Sequence, residues 1–296
     1  MPRPPVLLAL LALVIAAPRA QEAPPPLTPA DGWRTALTAG LALSQAAYAN
    51  WQEGGVSTLA VTGTSAGTFE RVIGRFKQRH DARIAFGLVR HDTLDVRKAE
   101  DAVRYAFALQ YRARGALQPT LALDARTQLA PGYDYAPDSA AYPHLDVVPG
   151  RRLKVSDFAA PLLLTQTLGV TYDPERWYTA RVGLGLKETV VAVERLRPVY
   201  GNDPGEGVRL EAGVDAEVRV ERALMEGVHL RSRLGLFQAF TGFDAAPDAL
   251  WENTLALKVN DLLNVNLEAV LLYDGDVSDE VQVKEVLSVG LSLALL

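Results

Sequence analysis

Four histidines, His80, His91, His144 and His229, are the chain's candidates for acid–base or metal chemistry, and none of them belongs to a ligand pattern such as HExxH. A Ser/His hydrolase would need a serine beside one of them. His80 falls on the apolar side of its segment with no identifiable serine partner, so it reads as an interfacial residue. His229 lies in a basic, alternating run and reads as a polar interior residue rather than a base or ligand. The acidic group Asp274, Asp276, Asp279 and Glu280 has oxygen enough for a weak calcium site but lacks the full EF-hand loop spacing, and reads as a solvated loop. "GLGLK" at 183–187 is not followed by a helical pattern, so it is a glycine-containing strand and not a phosphate cradle. Cysteine is absent, which excludes a disulfide framework, a thiolate metal site and a lipid-anchored cysteine. The expectation is a protein with no catalytic residues, no metal and no cofactor.

The charged residues that remain follow a period of two. From Val208 to Val220 the even positions are all apolar, while the odd ones read Arg209, Glu211, Gly213, Asp215, Glu217 and Arg219. The run from Val228 repeats this, with Leu230, Leu234 and Leu236 against His229, Arg231 and Arg233. Comparable runs begin near residues 34, 56, 76, 102, 117, 158, 176, 250, 262 and 281, about twelve strands in all. Their length exceeds the roughly 5–6 residues usual in a soluble sandwich and meets the roughly 9–11 needed to cross a bilayer at a tilt. Every other connection is short, as at 72–74, 114–116, 173–175, 222–227 and 260–261, and the rest are mostly longer, as at 130–157, 195–207 and 241–249. The fold class is therefore all-β, an antiparallel transmembrane β-barrel of about twelve strands, with aromatic residues at the strand ends as interfacial girdles. In "ANWQEGGV" the residues Asn50, Trp51, Gly54 and Gly55 form a turn closing the first hairpin, with glycines free to take positive φ and Trp51 at the interface.

The start agrees with export. Arg3 followed by an apolar run from Val6 to Ala17 has the form of a secretory signal, too short for a spanning helix. Residues 1–20 read as signal peptide, 21–32 as a Pro-rich periplasmic linker and 33–296 as the barrel, destined for the bacterial outer membrane. A net charge of −5 gives no footprint for nucleic acid.

Several short patterns occur in a fixed order: Asn50-Trp51-x-x-Gly54-Gly55, Lys98-x-Glu100-Asp101, Thr127-Gln128-x-x-Pro131-Gly132-Tyr133, Ser156-x-Phe158-x-x-Pro161, Leu257-x-Val259-Asn260, Tyr273-Asp274 and Gln282-x-Lys284-Glu285-Val286. In these the chain resembles an uncharacterised family of outer-membrane β-barrel proteins of Gram-negative bacteria, a domain of unknown function, over residues 33–296. It departs from that pattern at Asp157, Ala160 and the non-aromatic Leu296. The resemblance implies a fold and a location but no activity; an outer-membrane barrel is expected to have outer-membrane lipid, lipopolysaccharide and the barrel assembly machinery as partners.

Function has to come from the faces. With the apolar rows toward lipid, the lumen is lined by Arg79, Arg83, Arg104, Arg126, Arg181, Arg209, Glu211, Asp215, Glu217, Arg219, His229, Arg231, Arg233 and Glu268, among others. Fourteen bases then face eight acids, and the acidic surplus is left to the loops. Two functions fit. One is a narrow channel whose basic lining favours small anionic or polar solutes. The other is a closed structural or binding barrel whose paired charges fill the lumen, leaving acidic outer loops to contact divalent cations, lipopolysaccharide or a partner.

Overall fold

A computed structural model describes residues 32–46, 57–92, 94–113, 115–174, 176–242, 246–260 and 262–294. The sequence expectations for the signal peptide, almost all of the linker and the turn at Asn50, Trp51, Gly54 and Gly55 lie outside these residues. In chain order the strands are β1 (Gly32–Ala46), β2 (Thr58–Ile73), β3 (Phe76–His91), β4 (Arg97–Tyr111), β5 (Leu117–Thr127), β6 (Gly132–Asp134), β7 (Leu153–Ser156), β8 (Leu162–Tyr172), β9 (Tyr178–Val190), β10 (Val208–Met225), β11 (Val228–Ala239), β12 (Asp248–Lys258), β13 (Leu263–Asp274) and β14 (Ser278–Ala294). Twelve of them close a barrel in the order β1-β14-β13-β12-β11-β10-β9-β8-β5-β4-β3-β2, while β6 and β7 form a separate hairpin. Each barrel strand pairs antiparallel with its neighbours, and closure comes from β1 against β14, where Thr38 meets Ala294 and Ala42 meets Gly290. Closure removes the edges that a membrane core cannot tolerate.

Alternation fixes the register because a slip of one residue would turn every apolar side chain inward. Val214 pairs with Leu184 and Ala216 with Leu236, so one apolar row runs across β9, β10 and β11. Leu184 and Leu168 are 64% and 68% exposed, as are most outward leucines and valines to a lesser degree. A wall of exposed aliphatic residues around a charged interior is the reverse of a water-soluble barrel, and it spans a bilayer. At the short-turn end the outer wall becomes aromatic. Trp33, His80, Tyr105 and Phe107 pack together, Trp177 contacts Tyr178, and Arg71 and Arg222 lie over Trp33 and Trp177. This is the amphipathic girdle expected where strands leave the hydrocarbon.

Two boundaries differ from the sequence reading. The strand expected from residue 102 begins at Arg97, because a bulge opposite Gly87 and Leu88 interrupts the alternation of 97–101. The turn expected at 222–227 shrinks to Glu226 and Gly227, with Gly227 at φ 72°, as β10 continues to Met225. In "GLGLK", Gly183 faces Gly169 across β8 and β9, and a Cβ on Gly183 would lie 2.5 Å from the Leu168 carbonyl oxygen. Next to it Gly185 makes room for Phe237, a buried aromatic turned inward from β11.

Candidate functional site: the charged lumen and its cap

The pairing register carries the odd residues of β10 and β11 to the inner wall. Ion pairs between distant strands then cross the interior. β4 and β12 lie six strands apart on the ring of twelve, and Arg104 meets Glu252 between them. From β3, Arg79 reaches Glu221 on β10 at 2.9 Å, Arg219 on β10 reaches back to Asp81 at 3.0 Å, and Arg83 meets Glu268 on β13. Arg233 on β11 meets Asp124 on β5, and Lys284 on β14 reaches Glu100 on β4 at 2.5 Å. At the centre Glu217 accepts from Arg219 and Arg233 at 2.6 Å each. Beside it, Arg181 donates to Asp124 and Asp215 at 3.1 Å, and Asp215 also accepts from Thr167 at 2.9 Å.

Toward the long-loop mouth Arg209 lies 3.1 Å from Glu211 and 2.6 Å from Asp276, and Lys187 lies 2.5 Å from Asp248. Asp274 and Asp276, read from the sequence as part of a solvated acidic loop, are therefore partners of Lys187 and Arg209. Arg126 is inward as well, in the wall of a cavity of about 140 Å³ beneath the loops that also includes Thr189, Tyr200 and Asp274. His229 and Arg231 stand on the inward row at the opposite, short-turn mouth, both exposed. His80 is outside the lumen, its Nδ1 2.7 Å from the Tyr105 hydroxyl and its Nε2 3.1 Å from Gln78.

The basic surplus in the sequence count is corrected by the structure. Glu70, Glu100, Asp173, Asp248, Asp274 and Asp276 each pair with a lumen base, Lys77, Lys187, Arg209 or Lys284. These six raise the inward acids from eight to fourteen, against fourteen bases, or fifteen with Arg34, which the Arg34–Glu70 register also turns inward. Alternation does not reveal them because most of them sit at strand ends, where it gives way to turns. The interior is close to neutral.

The long loops fold over one mouth as a cap. A 3-10 helix, η1 (Glu194–Tyr200), buries Leu196 against Ala160 and Val191, with Leu145, Val193 and Val199 around them. Asp101 accepts from the Leu129 and Ala130 N–H groups at 2.8 and 2.9 Å and from Lys98 at 2.9 Å, while Lys98 also donates to Gln128 and the Ala130 carbonyl. Gln128 in turn donates to the Asp157 carbonyl at 2.9 Å and accepts from Ser156, and Thr127 donates to the Pro161 carbonyl at 3.0 Å. Tyr200 donates to the Val155 carbonyl at 3.0 Å. The ordered patterns at 98–101, 127–133 and 156–161 thus meet in one hydrogen-bonded knot, which their spacing alone did not reveal. Lys154 holds the Asp157 carboxyl below its ordinary range by hydrogen bonding to it, and burial followed by the Asp134 acceptor pushes the Tyr142 phenol up to about 12.

A family model described as "Protein of unknown function (DUF3078)" matches residues 43–133. No curated protein matches the chain. Among solved structures it is similar to the translocator domain of the autotransporter NalP from Neisseria meningitidis, at 9% identity and TM-score 0.35, over 89% of this chain and 88% of that one. It is similar also to Salmonella typhi OmpF in complex with daunomycin, at 8% identity and TM-score 0.32, over 89% and 96% of the two chains. The beta domain of the Bordetella autotransporter BrkA gives 10% identity and TM-score 0.29, over 89% and 99%.

Proposed function

We propose that this chain is a non-enzymatic outer-membrane barrel with a closed lumen, a structural and binding protein that acts at its capped end. The reading of location rests on the signal-like pattern at the start of the sequence and on the apolar belt, with outer-membrane lipid and lipopolysaccharide around that belt and the barrel assembly machinery as the route of insertion. The observation that carries the closed lumen is the set of ion pairs joining strands far apart on the ring, Arg104 with Glu252 above all. A side chain held by a carboxylate on the far wall occupies the path a solute would take. Reconstituted into liposomes in isotonic small sugars or amino acids, the folded barrel should give swelling no faster than protein-free liposomes. Rapid, size-dependent swelling would overturn the proposal.

The second reading, a narrow channel for small anionic or polar solutes, draws its support from the exposed short-turn mouth, where His229 and Arg231 line a basic vestibule. It requires the central pairs to part.

A further inference from the structure

We propose that the cap carries a binding site for a phosphate group borne on a single sugar, formed by Arg151, Arg152 and Arg195. The inference goes beyond the closed-lumen reading and stands on the cap alone, so a conducting barrel would leave it intact. A cavity of about 320 Å³ opens on the outside of the cap, and Arg151, Arg152, Lys154, Arg195, Asp146 and Tyr133 lie in its wall. Two loops distant in sequence build it. Arg151 and Arg152 leave the turn before β7, which the Arg151 N–H closes onto the Val148 carbonyl at 3.1 Å, with Gly150 at φ 76°. Buried Leu153 anchors that strand, and Arg195 arrives from η1.

The charges are unevenly satisfied. Lys154 is taken by Asp157. Elsewhere in the cap Lys98 has Asp101, Arg97 lies over Tyr135, and Arg197 donates to the Pro204 carbonyl. Arg151 and Arg195 are exposed and make no side-chain ion pair among the described residues. Arg152 lies over Tyr133, 4.3 Å from the ring centroid, a cation–π contact that uses none of its N–H donors. Three exposed arginines in the wall of one cavity, against the single carboxylate of Asp146, give it a net positive lining.

A phosphate monoester suits this arrangement because it carries nearly two negative charges near neutral pH and three acceptor oxygens for planar donor forks. A carboxylate offers one charge and two oxygens. The volume is at the low end of the roughly 300–1,000 Å³ typical of ligand pockets, which fits one sugar ring and not an oligosaccharide. Asp146, the one carboxylate in the wall, opposes a bare anion but can accept from sugar hydroxyls, favouring a sugar phosphate over inorganic phosphate. The phosphate could belong to a free solute or to a glycolipid headgroup.

The test uses the folded mature chain in neutral detergent and, separately, in vesicles with and without lipopolysaccharide. Titration with a hexose monophosphate should give saturable binding tighter than inorganic phosphate. The double variant Arg151→Gln, Arg195→Gln should weaken it at least tenfold while Arg176→Gln, at the opposite end, leaves it unchanged. Since Arg151 and Arg195 are exposed, the variant should keep the gel shift of a folded barrel. Binding of the free sugar phosphate would identify a solute as the source, and binding seen only with lipopolysaccharide vesicles, lost in the same variant, would identify the headgroup. No saturable binding in either arm, or equal binding by the double variant, would overturn the proposal.

Discussion

Glu217 shows how much rests on single residues in this interior. It is 6% exposed, accepts from Arg219 and Arg233 at 2.6 Å, and has Arg181 at 3.9 Å. Replacing it by alanine leaves three guanidinium groups without their shared carboxylate, and breaking a buried charged cluster from one side costs about 3–5 kcal/mol. Glu217→Ala should therefore lower the denaturant midpoint of the folded barrel, whereas Arg231→Gln at the exposed mouth should leave it within about 0.5 kcal/mol of the parent. Tyr142 gives a second residue-scale test, in the cap. Its phenol is raised to about 12 by burial and by the Asp134 acceptor, so the neutral form is favoured in the folded protein. Its contribution is complete below pH of about 10, the unfolded value, and is lost as pH rises through about 12. The difference in phenolate absorbance between the parent and Tyr142→Phe should accordingly rise near pH 12, and a rise near the ordinary value would show that the cap does not enclose the ring.

At the scale of elements, the strands were legible and the cap was not. The run Val208–Val220 alternates because each wall residue has one environment, and that two-fold pattern survives in any local window. The cap has no period. Its order comes from Asp101 reaching Leu129 and Ala130, and Gln128 reaching Asp157, contacts between segments far apart in the chain, and the ordered patterns pointed to them without giving their geometry. Each element offers a test. Leu184 is 64% exposed near the middle of β9; arginine there is harmless to a water-soluble barrel but costs about 2–4 kcal/mol at a bilayer midplane. Leu184→Arg should reduce assembly into membranes, and full recovery of folded protein would mean that the wall does not face lipid. Asp101→Ala strips the acceptor from the exposed Leu129 N–H, the partly buried Ala130 N–H and Lys98, at about 1–3 kcal/mol for the one partly buried backbone donor left unpaired. The 128–161 segment should then be cleaved faster by protease while the barrel stays intact, and an unchanged cleavage rate would remove Asp101 as the anchor.

For the molecule as a whole, the sequence carried the closed antiparallel architecture and the inner row from Arg79 to Glu268, but not the balance of charge. Counting strand interiors alone gave a basic lumen. Residues such as Asp248 and Asp274, at the ends of β12 and β13, restore near neutrality by pairing with Lys187. An anion preference argued from surplus arginine loses its ground, and the long reach of Arg104 to Glu252, and of Arg79 to Glu221, takes its place as the feature that decides passage. The most direct test is planar-bilayer recording of the barrel in a potassium chloride gradient, using protein whose gel migration changes on boiling. Closed by these pairs, the parent should show no unitary conductance, and a combined Arg104→Ala, Glu252→Ala, Glu217→Ala variant that still folds should show stepwise current. Steady unitary conductance in the parent, whether anion- or cation-selective, would contradict the closed lumen.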